Sequence, residues 1–487
     1  MPMSDGAPPP ASAVPAPAPP APGEPSAREE VHERADSVRT GGVGPGFPPS
    51  HRVTRRKLAG PNGRVALLAG ARTPFARAGT ELAALDVIDL AGVAAAEAVA
   101  RSGIDPAEIG AAIFGCVLPA LDGPNLGREA VLRAALPAAI PGFAVDLACA
   151  SANRAIVSGA EAILQGEADV VLAGGAESLS NAPVRFPAGA GAKFQALRRA
   201  RSPAARLAAA AALRPRDFTP VPTAIAELST GLSMGEACEK MARENGVSRR
   251  AQDEIALLSH RRAAAAAAAG AFAGQLVAVF PGPRYERAVL ADNGVRADTT
   301  LEALARLPPV FDRRFGTLTA GNSSPLTDGG AAVVLASEKR ARALGHAPLA
   351  FVRSWAWFAI PPGGQLLQGP AYAAPLALER AGVRLADIDL VETHEAFAAQ
   401  VLSNFKALAS RKFAREELGR SEPVGEVDLE RWNVHGGSIA LGHPFGATGA
   451  RVTLQLAHEL ARRGLGLGLL MVCAAGGHGF AMVLERE

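Results

Sequence analysis

Two cysteines and two histidines stand where the chain turns, and their residue types suit thiol chemistry. His443 lies in GHPFGATGA, whose small residues let another group approach closely. Cys473 closes the apolar run LLMV, just before the glycine turn AAGGHG. A histidine near a thiol can hold it as a thiolate, or take its proton at the moment of attack. A lone cysteine at a strand end is more often a small core residue. Other parts of the sequence are therefore needed to distinguish a catalytic thiol from a core residue.

Cys149 and His394 occupy comparable positions. Cys149 lies between the predicted strand FAVDLA and a predicted helix that begins SANRAIV. The first turn of a helix has unpaired N–H groups and a partial positive charge, which stabilise a thiolate and later an oxyanion. A buried cysteine without such a role fits this position equally well. His394 directly follows the apolar strand DLVET. Four such residues at strand ends or in loops favour a shared site, because open α/β sheets place their chemistry there.

The elements that must position these residues repeat along the chain. AVARSGIDPAEIGAAIFG in the first half parallels ALERAGVRLADIDLVETH in the second, each a helix ending in glycine, a polar link and an apolar strand. The strand segment ADVVLAGGAES likewise parallels GLLMVCAAGGHG. The pattern predicts a duplicated α/β unit, with the site between the two half-domains.

Composition shifts divide the chain further. Residues 1–60 are rich in proline and alanine and are predicted to be a disordered tail. The remaining segments are an N-terminal half formed by 61–186 and 310–345, an inserted segment 187–309, and a C-terminal half 346–487.

The inserted segment has a basic stretch, KFQALRRARSPAARLAAAAALRPRD, in which seven Lys or Arg precede Asp217. A basic surface there could bind a polyanionic ligand or an acidic partner, and a solvated helix face is an equal alternative. Cys238 and His260 in the helices that follow are most simply structural. Cys116, in an earlier apolar strand, is most simply a core residue.

Composition excludes several classes of protein. With 487 residues, 48% of them hydrophobic, the chain can bury a large core, and its formal net charge of +3 argues against a nucleic-acid binder. Four cysteines without a CxxC pair favour a reducing compartment, and the cytoplasm is the expectation. No segment reaches the roughly 20 apolar residues of a membrane helix. Acidic residues in the N-terminal stretch argue against a targeting peptide.

Six motifs, in order, resemble those of thiolases over nearly everything after residue 60: CASA at Cys149, AGGAESLSNAP, GTLTAGNSSPLTDGGAA, HEAFAAQ, GGSIALGHPFGATGAR and CAAGGHG at Cys473. The resemblance implies the thiolase fold, an α/β fold with two βαβαβαββ halves packed as a layered αβαβα core and a loop domain inserted in the first. The implied activity is that of a 3-ketoacyl-CoA thiolase (acetyl-CoA C-acyltransferase) of fatty-acid β-oxidation. Such an enzyme cleaves 3-ketoacyl-CoA with CoA to acetyl-CoA and a shortened acyl-CoA, through an acyl-cysteine intermediate.

The resemblance also implies roles for individual residues. Cys149 would carry the acyl group, and His443 would accept its proton and help hold the thioester oxygen. Cys473 would be the acid and base at the carbon of the acetyl group. His394 stands where many thiolases have Asn, at a position that orients a water in the first oxyanion hole. The backbone N–H groups of Cys149 and Ala475 would form a second oxyanion hole.

HEAF and CAAGG, in place of NEAF and CxGGG, resemble the thiolase (beta) subunit of bacterial fatty-acid oxidation complexes and of the mitochondrial trifunctional enzyme. Ser324 would lie along the pantetheine of CoA, which is a substrate, and no metal or redox cofactor is required. A homodimer or higher homo-oligomer is the family expectation. The basic insertion predicts a partner, either the hydratase and dehydrogenase (alpha) subunit of such a complex or, by peripheral contact, an anionic membrane surface.

Other functions stay open at this point. A biosynthetic acetyl-CoA C-acetyltransferase that makes acetoacetyl-CoA would use the same residues, because the reaction is reversible. A decarboxylating condensing enzyme of fatty-acid synthesis would also use a cysteine nucleophile and histidines, but the second cysteine, Cys473, argues against that class. A non-catalytic scaffold subunit of a lipid-oxidation complex is a further alternative, which the intact set of candidate residues disfavours. The sequence leaves acyl chain length, oligomer size and the role of the tail open.

Overall fold

The structure is a computed structural model that describes residues 25–40, 42, 58–221, 226–345 and 347–487. Its strands are β1 (Val65–Arg72), β2 (Ala76–Arg77), β3 (Ala111–Gly115), β4 (Gly142–Val145), β5 (Val170–Glu177), β6 (Thr327–Ser337), β7 (Ala350–Ala359), β8 (Leu390–Thr393), β9 (Leu467–Ala474) and β10 (His478–Glu485). Its helices are α1 (Ala27–His32), α2 (Val87–Ser102), α3 (Leu126–Arg133), α4 (Ser151–Gln165), α5 (Ala190–Arg199), α6 (Pro203–Ala211), α7 (Met234–Glu244), α8 (Arg249–Ala268), α9 (Leu301–Ala305), α10 (Glu338–Ala343), α11 (Gly369–Ala381), α12 (Ala398–Ala409), α13 (Arg411–Glu416), α14 (Ser438–Leu441) and α15 (Phe445–Arg463).

The strand order shows the duplication directly. The sheet runs β4-β3-β5-β6-β1-β7-β10-β9-β8, with β2 attached to β6. From the middle outward, β1, β6, β5 and β3 on one side match β7, β10, β9 and β8 on the other. In each half two antiparallel pairs come first and a parallel pair follows. Antiparallel pairing of β1 with β7 joins the halves. The strands paired by sequence similarity, β3 with β8 and β5 with β9, occupy equivalent places, so the predicted duplication is confirmed.

Helices form the other layers. In the centre, α4 packs against α15, and between them they contact strands of both halves. On the outer faces, α2 covers β1 and β6, and α11 covers β7 and β10. Alternate residues of a strand therefore face different layers: Phe480 and Met482 of β10 point to the centre, whereas Ala481 and Val483 point to the outer layer. This layered αβαβα arrangement is the predicted fold class.

Small residues allow the two central helices to approach closely. A Cβ atom added at Gly449 of α15 would stand 2.3 Å from the side-chain oxygen of Asn153 on α4. The Asn153 amide instead donates to the Gly449 carbonyl at 3.3 Å. Because Cys149 precedes α4 and His443 precedes α15, the contact between these helices fixes the relative position of both residues.

The expectation of a disordered tail through residue 60 is wrong for residues 25–40. This stretch forms α1 and a short turn that pack against α8 and α12, and its Ala27, Val31 and Val38 side chains are buried. Glu30 forms a 3.0 Å ion pair with Lys406, and both side chains are fully buried. The proline and alanine content of residues 1–60 predicted disorder, because the helices that pack against this stretch lie far along the sequence and a local composition cannot indicate them. Residues 1–24, 41 and 43–57 lie outside the described residues.

The inserted segment places a basic helix pair on the surface. Helices α5 and α6 pack against each other, and most of their side chains are exposed. Phe194 contacts the rings of Phe186 and Phe218, and Lys193 pairs with Asp217 at 2.7 Å. The boundaries proposed for this segment stay a prediction. Across the part of the chain that the structure describes, no helix has both the length and the apolar character needed to cross a bilayer.

Candidate active site

Cys149 lies in the turn between β4 and α4. The preceding Ala148 has φ +47°, a left-handed conformation that costs a non-glycine residue about 1 kcal/mol or more. Ser151 supports this turn, because its hydroxyl accepts from the Leu147 N–H at 2.8 Å and donates to the Ala148 carbonyl at 2.7 Å. The backbone N–H groups of Cys149 and Ala475 both interact with the Cys149 sulfur. The turn therefore presents the thiol to two main-chain donors.

His443 reaches the same sulfur from the turn between α14 and α15. Its Nε2 lies 3.2 Å from Cys149 Sγ, and its Nδ1 lies 2.7 Å from Thr448 Oγ1. The Thr448 hydroxyl donates its one proton to the Pro444 carbonyl at 2.9 Å, so it accepts from His443 Nδ1–H. Nε2 then faces the thiol with a free lone pair. The contact with Thr448 thus sets the tautomer that a general base requires.

The pKa values of the pair favour a neutral resting state. Burial raises the pKa of the Cys149 thiol to about 12, although the two backbone N–H groups act in the opposite direction. Burial, together with the positive charge of Arg451, lowers the pKa of His443 to about 3. A thiolate–imidazolium pair is therefore unfavourable at neutral pH. Of the two mechanisms that the sequence left open, these values favour proton transfer at the moment of attack.

His394 lies immediately behind His443, with 4.1 Å between the ring centroids. Its Nδ1 is 2.8 Å from Ser438 Oγ, which also accepts from Arg451 Nη2 at 2.7 Å. Because Arg451 can only donate, the Ser438 proton is directed to Nδ1, and His394 Nε2 carries the ring proton. Among the described residues, Nε2 has no hydrogen-bond partner although it is fully buried. It is therefore a donor available to an oxygen atom in the site.

Cys473 approaches from the second half of the sheet. It is the last residue but one of β9, and burial raises the pKa of its thiol well above the usual value. The chain then turns through Ala475, Gly476 and Gly477, and both glycines have φ between +76° and +79°. The Gly476 N–H donates to the Glu227 carboxylate at 3.0 Å. This contact ties the turn to the inserted segment.

These groups open into one cavity of about 250 Å³. Cys149, His443, Cys473, Ala475 and Ser324 all line it, and the His394 ring contacts the His443 ring at a tilt of 44°. The structure thus brings together every candidate site residue that the sequence indicated. The remaining wall is mostly apolar and includes Met234, Phe311, Leu326, Leu367, Phe397 and Phe445. Such a wall suits an aliphatic chain next to the thiols.

Several residues of the site were missed by the sequence reasoning. Thr448, Ser438 and Arg451 lie in the GGSIALGHPFGATGAR motif, but their side-chain partners could not be identified from spacing. Glu227 and Phe311 come from regions of the chain that had no catalytic signal. Cys116, Cys238 and His260 are buried, in agreement with a structural role.

Comparisons with known proteins agree with this geometry. The family model "Thiolase, N-terminal domain" matches residues 65–339, and "Thiolase, C-terminal domain" matches residues 346–486. A 3-ketoacyl-CoA thiolase of Pectobacterium carotovorum is 47% identical over 433 residues, which cover 89% of this chain and 98% of that protein. The 3-ketoacyl-CoA thiolase of Aeromonas salmonicida is 47% identical over 424 residues, 87% of this chain and 97% of its own length.

Solved structures give a similar result. The acetyl-CoA acetyltransferase of Bacillus anthracis superposes with a TM-score of 0.76 at 34% identity, covering 87% of this chain and 99% of that one. Human mitochondrial 3-ketoacyl-CoA thiolase in complex with CoA has a TM-score of 0.75 at 31% identity, with coverage of 89% and 100%.

Proposed function

The chain belongs to the thiolase family, and we infer that it is a 3-ketoacyl-CoA thiolase of fatty-acid β-oxidation. It cleaves 3-ketoacyl-CoA with CoA to give acetyl-CoA and a shortened acyl-CoA. The observation that carries the inference is the Cys149–His443 contact of 3.2 Å, which opens together with Cys473 into one apolar-walled cavity. One place thereby holds a thiol nucleophile for the ketone, a base for the thiol proton, and an acid that can protonate the departing carbon.

We propose the following first half-reaction. Cys149 Sγ attacks the ketone carbon C3 while His443 Nε2 takes the thiol proton, and the N–H groups of Cys149 and Ala475 hold the C3 oxyanion. The C2–C3 bond then breaks with its electron pair on C2, which forms the enolate of acetyl-CoA and leaves an acyl thioester on Cys149. His394 Nε2–H, directly or through a water, and His443 hold the enolate oxygen. Cys473 protonates C2 and becomes a thiolate.

The second half-reaction returns the enzyme to its starting state. The Cys473 thiolate takes the proton of the incoming CoA thiol, and the CoA sulfur attacks the acyl thioester. The tetrahedral intermediate expels Cys149, which recovers its proton from His443. No electron leaves or enters the cycle, so Cys149, His443 and Cys473 suffice for proton and acyl transfer. Ser324 lines the cavity and is positioned along the pantetheine in this scheme.

The direct test is CoA-dependent cleavage of 3-ketoacyl-CoA by the purified protein. Cys149→Ala should abolish cleavage, and Cys473→Ala should block C2 protonation and therefore turnover. Full activity in Cys149→Ala would refute the assignment. The same groups can run the reverse condensation to acetoacetyl-CoA, so rates should be compared between acetoacetyl-CoA and a long-chain ketoacyl-CoA. The apolar wall predicts that cleavage of the longer substrate is the more efficient reaction.

We propose a homodimer that forms through the exposed sheet edge. Among the described strands β4 pairs with β3 alone, and its Phe143 is 46% exposed. Leu132 of α3, the helix that packs against β4, is 47% exposed. An open edge beside apolar side chains is a surface that favours association. Light scattering should give twice the chain mass, and Phe143→Lys should shift the protein towards the monomer. A monomeric wild-type protein at micromolar concentration would rule this out.

The basic insertion supports a partner of opposite charge. Arg199, Arg206 and the neighbouring arginines of α5 and α6 are exposed, so they are available to the acidic surface of an alpha subunit or to anionic lipid. Reversing Arg199 and Arg206 to Glu should abolish co-purification of the partner from cell extract. Reversing the exposed Arg284 and Arg287 is the matched control. Co-sedimentation of the protein with anionic vesicles tests whether lipid, and not a protein subunit, is the partner. If both charge-reversal variants co-purified with the same partners as the wild type, the proposal would be wrong.

We propose a reducing compartment, the cytoplasm, because all four cysteines are unpaired and the site needs two free thiols. Fractionation of cells with detection of the protein tests this directly.

A further inference from the structure

Three atoms of the site form a geometry that a metal ion can use. Cys149 Sγ and one ring nitrogen each from His394 and His443 all lie within 4.8 Å of one another. The sulfur and His443 Nε2 are 3.2 Å apart. Tetrahedral Zn²⁺, with bonds of about 2.3 Å to sulfur and about 2.0–2.1 Å to nitrogen, requires ligand atoms roughly 3.3–3.7 Å apart. Shifts of about 1 Å or less would therefore bring the three atoms to the corners of a zinc site.

The hydrogen bonds around the two histidines point to the same conclusion. His394 Nε2 is fully buried and has no partner among the described residues, while its Nδ1 contacts the Ser438 hydroxyl. His443 Nδ1 is likewise held by Thr448, so its Nε2 faces the sulfur. Histidine ligands typically have one ring nitrogen fixed by such a neighbour and the other on the metal. Both rings are thus held in the orientation that a ligand needs.

We propose that the substrate-free site binds one Zn²⁺, or a similar borderline-soft divalent cation, through Cys149 Sγ, His394 Nε2 and His443 Nε2, and that this binding inhibits the enzyme. The fourth position faces the cavity and takes a water molecule. Inhibition follows because the metal occupies the nucleophile, its base and the oxyanion donor together. An acyl group on Cys149 removes the thiolate ligand, so substrate and metal exclude each other.

The proton balance of the binding step is simple. The Cys149 thiol gives its proton to the buffer and its sulfur forms a bond to the metal, with no change of oxidation state. His443 already presents the lone pair of Nε2. His394 moves its proton from Nε2 to Nδ1, where the Ser438 oxygen can accept it after the hydroxyl rotates. Each metal ion bound therefore releases one proton.

The test uses the full-length enzyme freed of metal with a chelator and Co²⁺ as a spectroscopic probe. Co²⁺ should bind once per chain and give a thiolate-to-cobalt charge-transfer band with intense four-coordinate visible bands, and Zn²⁺ should displace it. Cys149→Ala should lose the charge-transfer band. His394→Asn should weaken binding by more than the roughly 10- to 100-fold that loss of an outer partner costs a metal site. His458→Asn, which removes an imidazole near Gly274, should bind as the wild type does.

Equal cobalt affinity in the wild type and His394→Asn, or a spectrum without sulfur charge transfer, would overturn the proposal. A measurement on the wild type alone covers the case in which a variant fails to fold. Zn²⁺ should protect Cys149 from iodoacetamide, as followed by peptide mass spectrometry, and unchanged alkylation would also overturn it. None of these readouts needs thiolase activity. Failure of the metal site and failure of the assigned reaction are therefore distinguishable.

Discussion

Ser438→Ala tests whether the proton on His394 is directed by its neighbours. In the wild type, Arg451 donates to Ser438 at 2.7 Å, and Ser438 lies 2.8 Å from His394 Nδ1. Removing the hydroxyl leaves the ring in place but no longer favours the tautomer with a proton on Nε2. Complete loss of an oxyanion donor raises the activation barrier by about 2.7–4 kcal/mol, and the effect of Ser438→Ala should not exceed this value. A single net hydrogen bond contributes about 0.5–1.5 kcal/mol, and bonds to charged groups more.

We therefore expect Ser438→Ala to raise the barrier by about 1–2 kcal/mol, or roughly 5- to 30-fold in kcat. The assay is single-turnover thiolysis of a 3-ketoacyl-CoA, with KM measured separately, because the lost interaction acts on the developing oxyanion. Ser438→Thr retains a hydroxyl and should recover most of the rate. Ser354→Ala is the matched control, since it removes another buried serine hydroxyl, which donates to the Ala377 carbonyl and does not contact His394.

The decisive measurement is a double-mutant cycle with His394→Asn. A carboxamide has a fixed donor and no tautomer, so Ser438→Ala should cost less than about twofold in that background. The coupling energy should then equal most of the 1–2 kcal/mol expected for the single change. An equal loss of kcat in both backgrounds would mean that Ser438 only supports the local fold, and the tautomer argument would be wrong. Thermal unfolding of each variant reports any structural effect separately.

Further predictions concern Cys149, the buried ion pair of Glu30 and Lys406, and the buried Glu392. Because the resting thiol is neutral, iodoacetamide should alkylate Cys149 faster as pH rises above 8, and a plateau already reached at pH 6 would contradict this. Lys406→Met should lower the free energy of unfolding by about 3–5 kcal/mol, because it leaves Glu30 buried without its partner, whereas Glu30→Leu with Lys406→Met should cost much less in denaturant titrations. Burial raises the pKa of Glu392 to about 8, so the folded state retains a proton that the unfolded state loses above its pKa near 4.5. The free energy of unfolding should therefore fall by a few kcal/mol as the pH rises from about 4.5 to about 8. Glu392→Gln should make the free energy of unfolding less dependent on pH over this range. An identical pH dependence in the variant would exclude Glu392 as the cause.

The sequence predicted the framework of the site because that framework is local and repeated. The apolar strands before Cys149, His394 and Cys473 each end at a turn signal, and similar segments in the two halves implied equivalent sheet positions. Contacts made across the chain were not predictable in this way. Glu30 meets Lys406 from 376 positions away, so composition indicated disorder where the structure has a buried ion pair. The same applies to Ser438 and His394, whose hydrogen bond depends on how α14 is placed against β8.

The presence of histidine at position 394 has two consequences that an asparagine would not have. An amide always offers a donor N–H, whereas a neutral imidazole offers one at Nε2 only if its proton is kept there, and Ser438 with Arg451 performs that task. An imidazole is also a good zinc ligand, and a carboxamide is a poor one. His394→Asn should therefore remove both the dependence of kcat on Ser438 and the tight binding of Zn²⁺. If one of these properties survived the substitution, its explanation through the His394 ring would have to be given up, while the other would still stand on its own measurement.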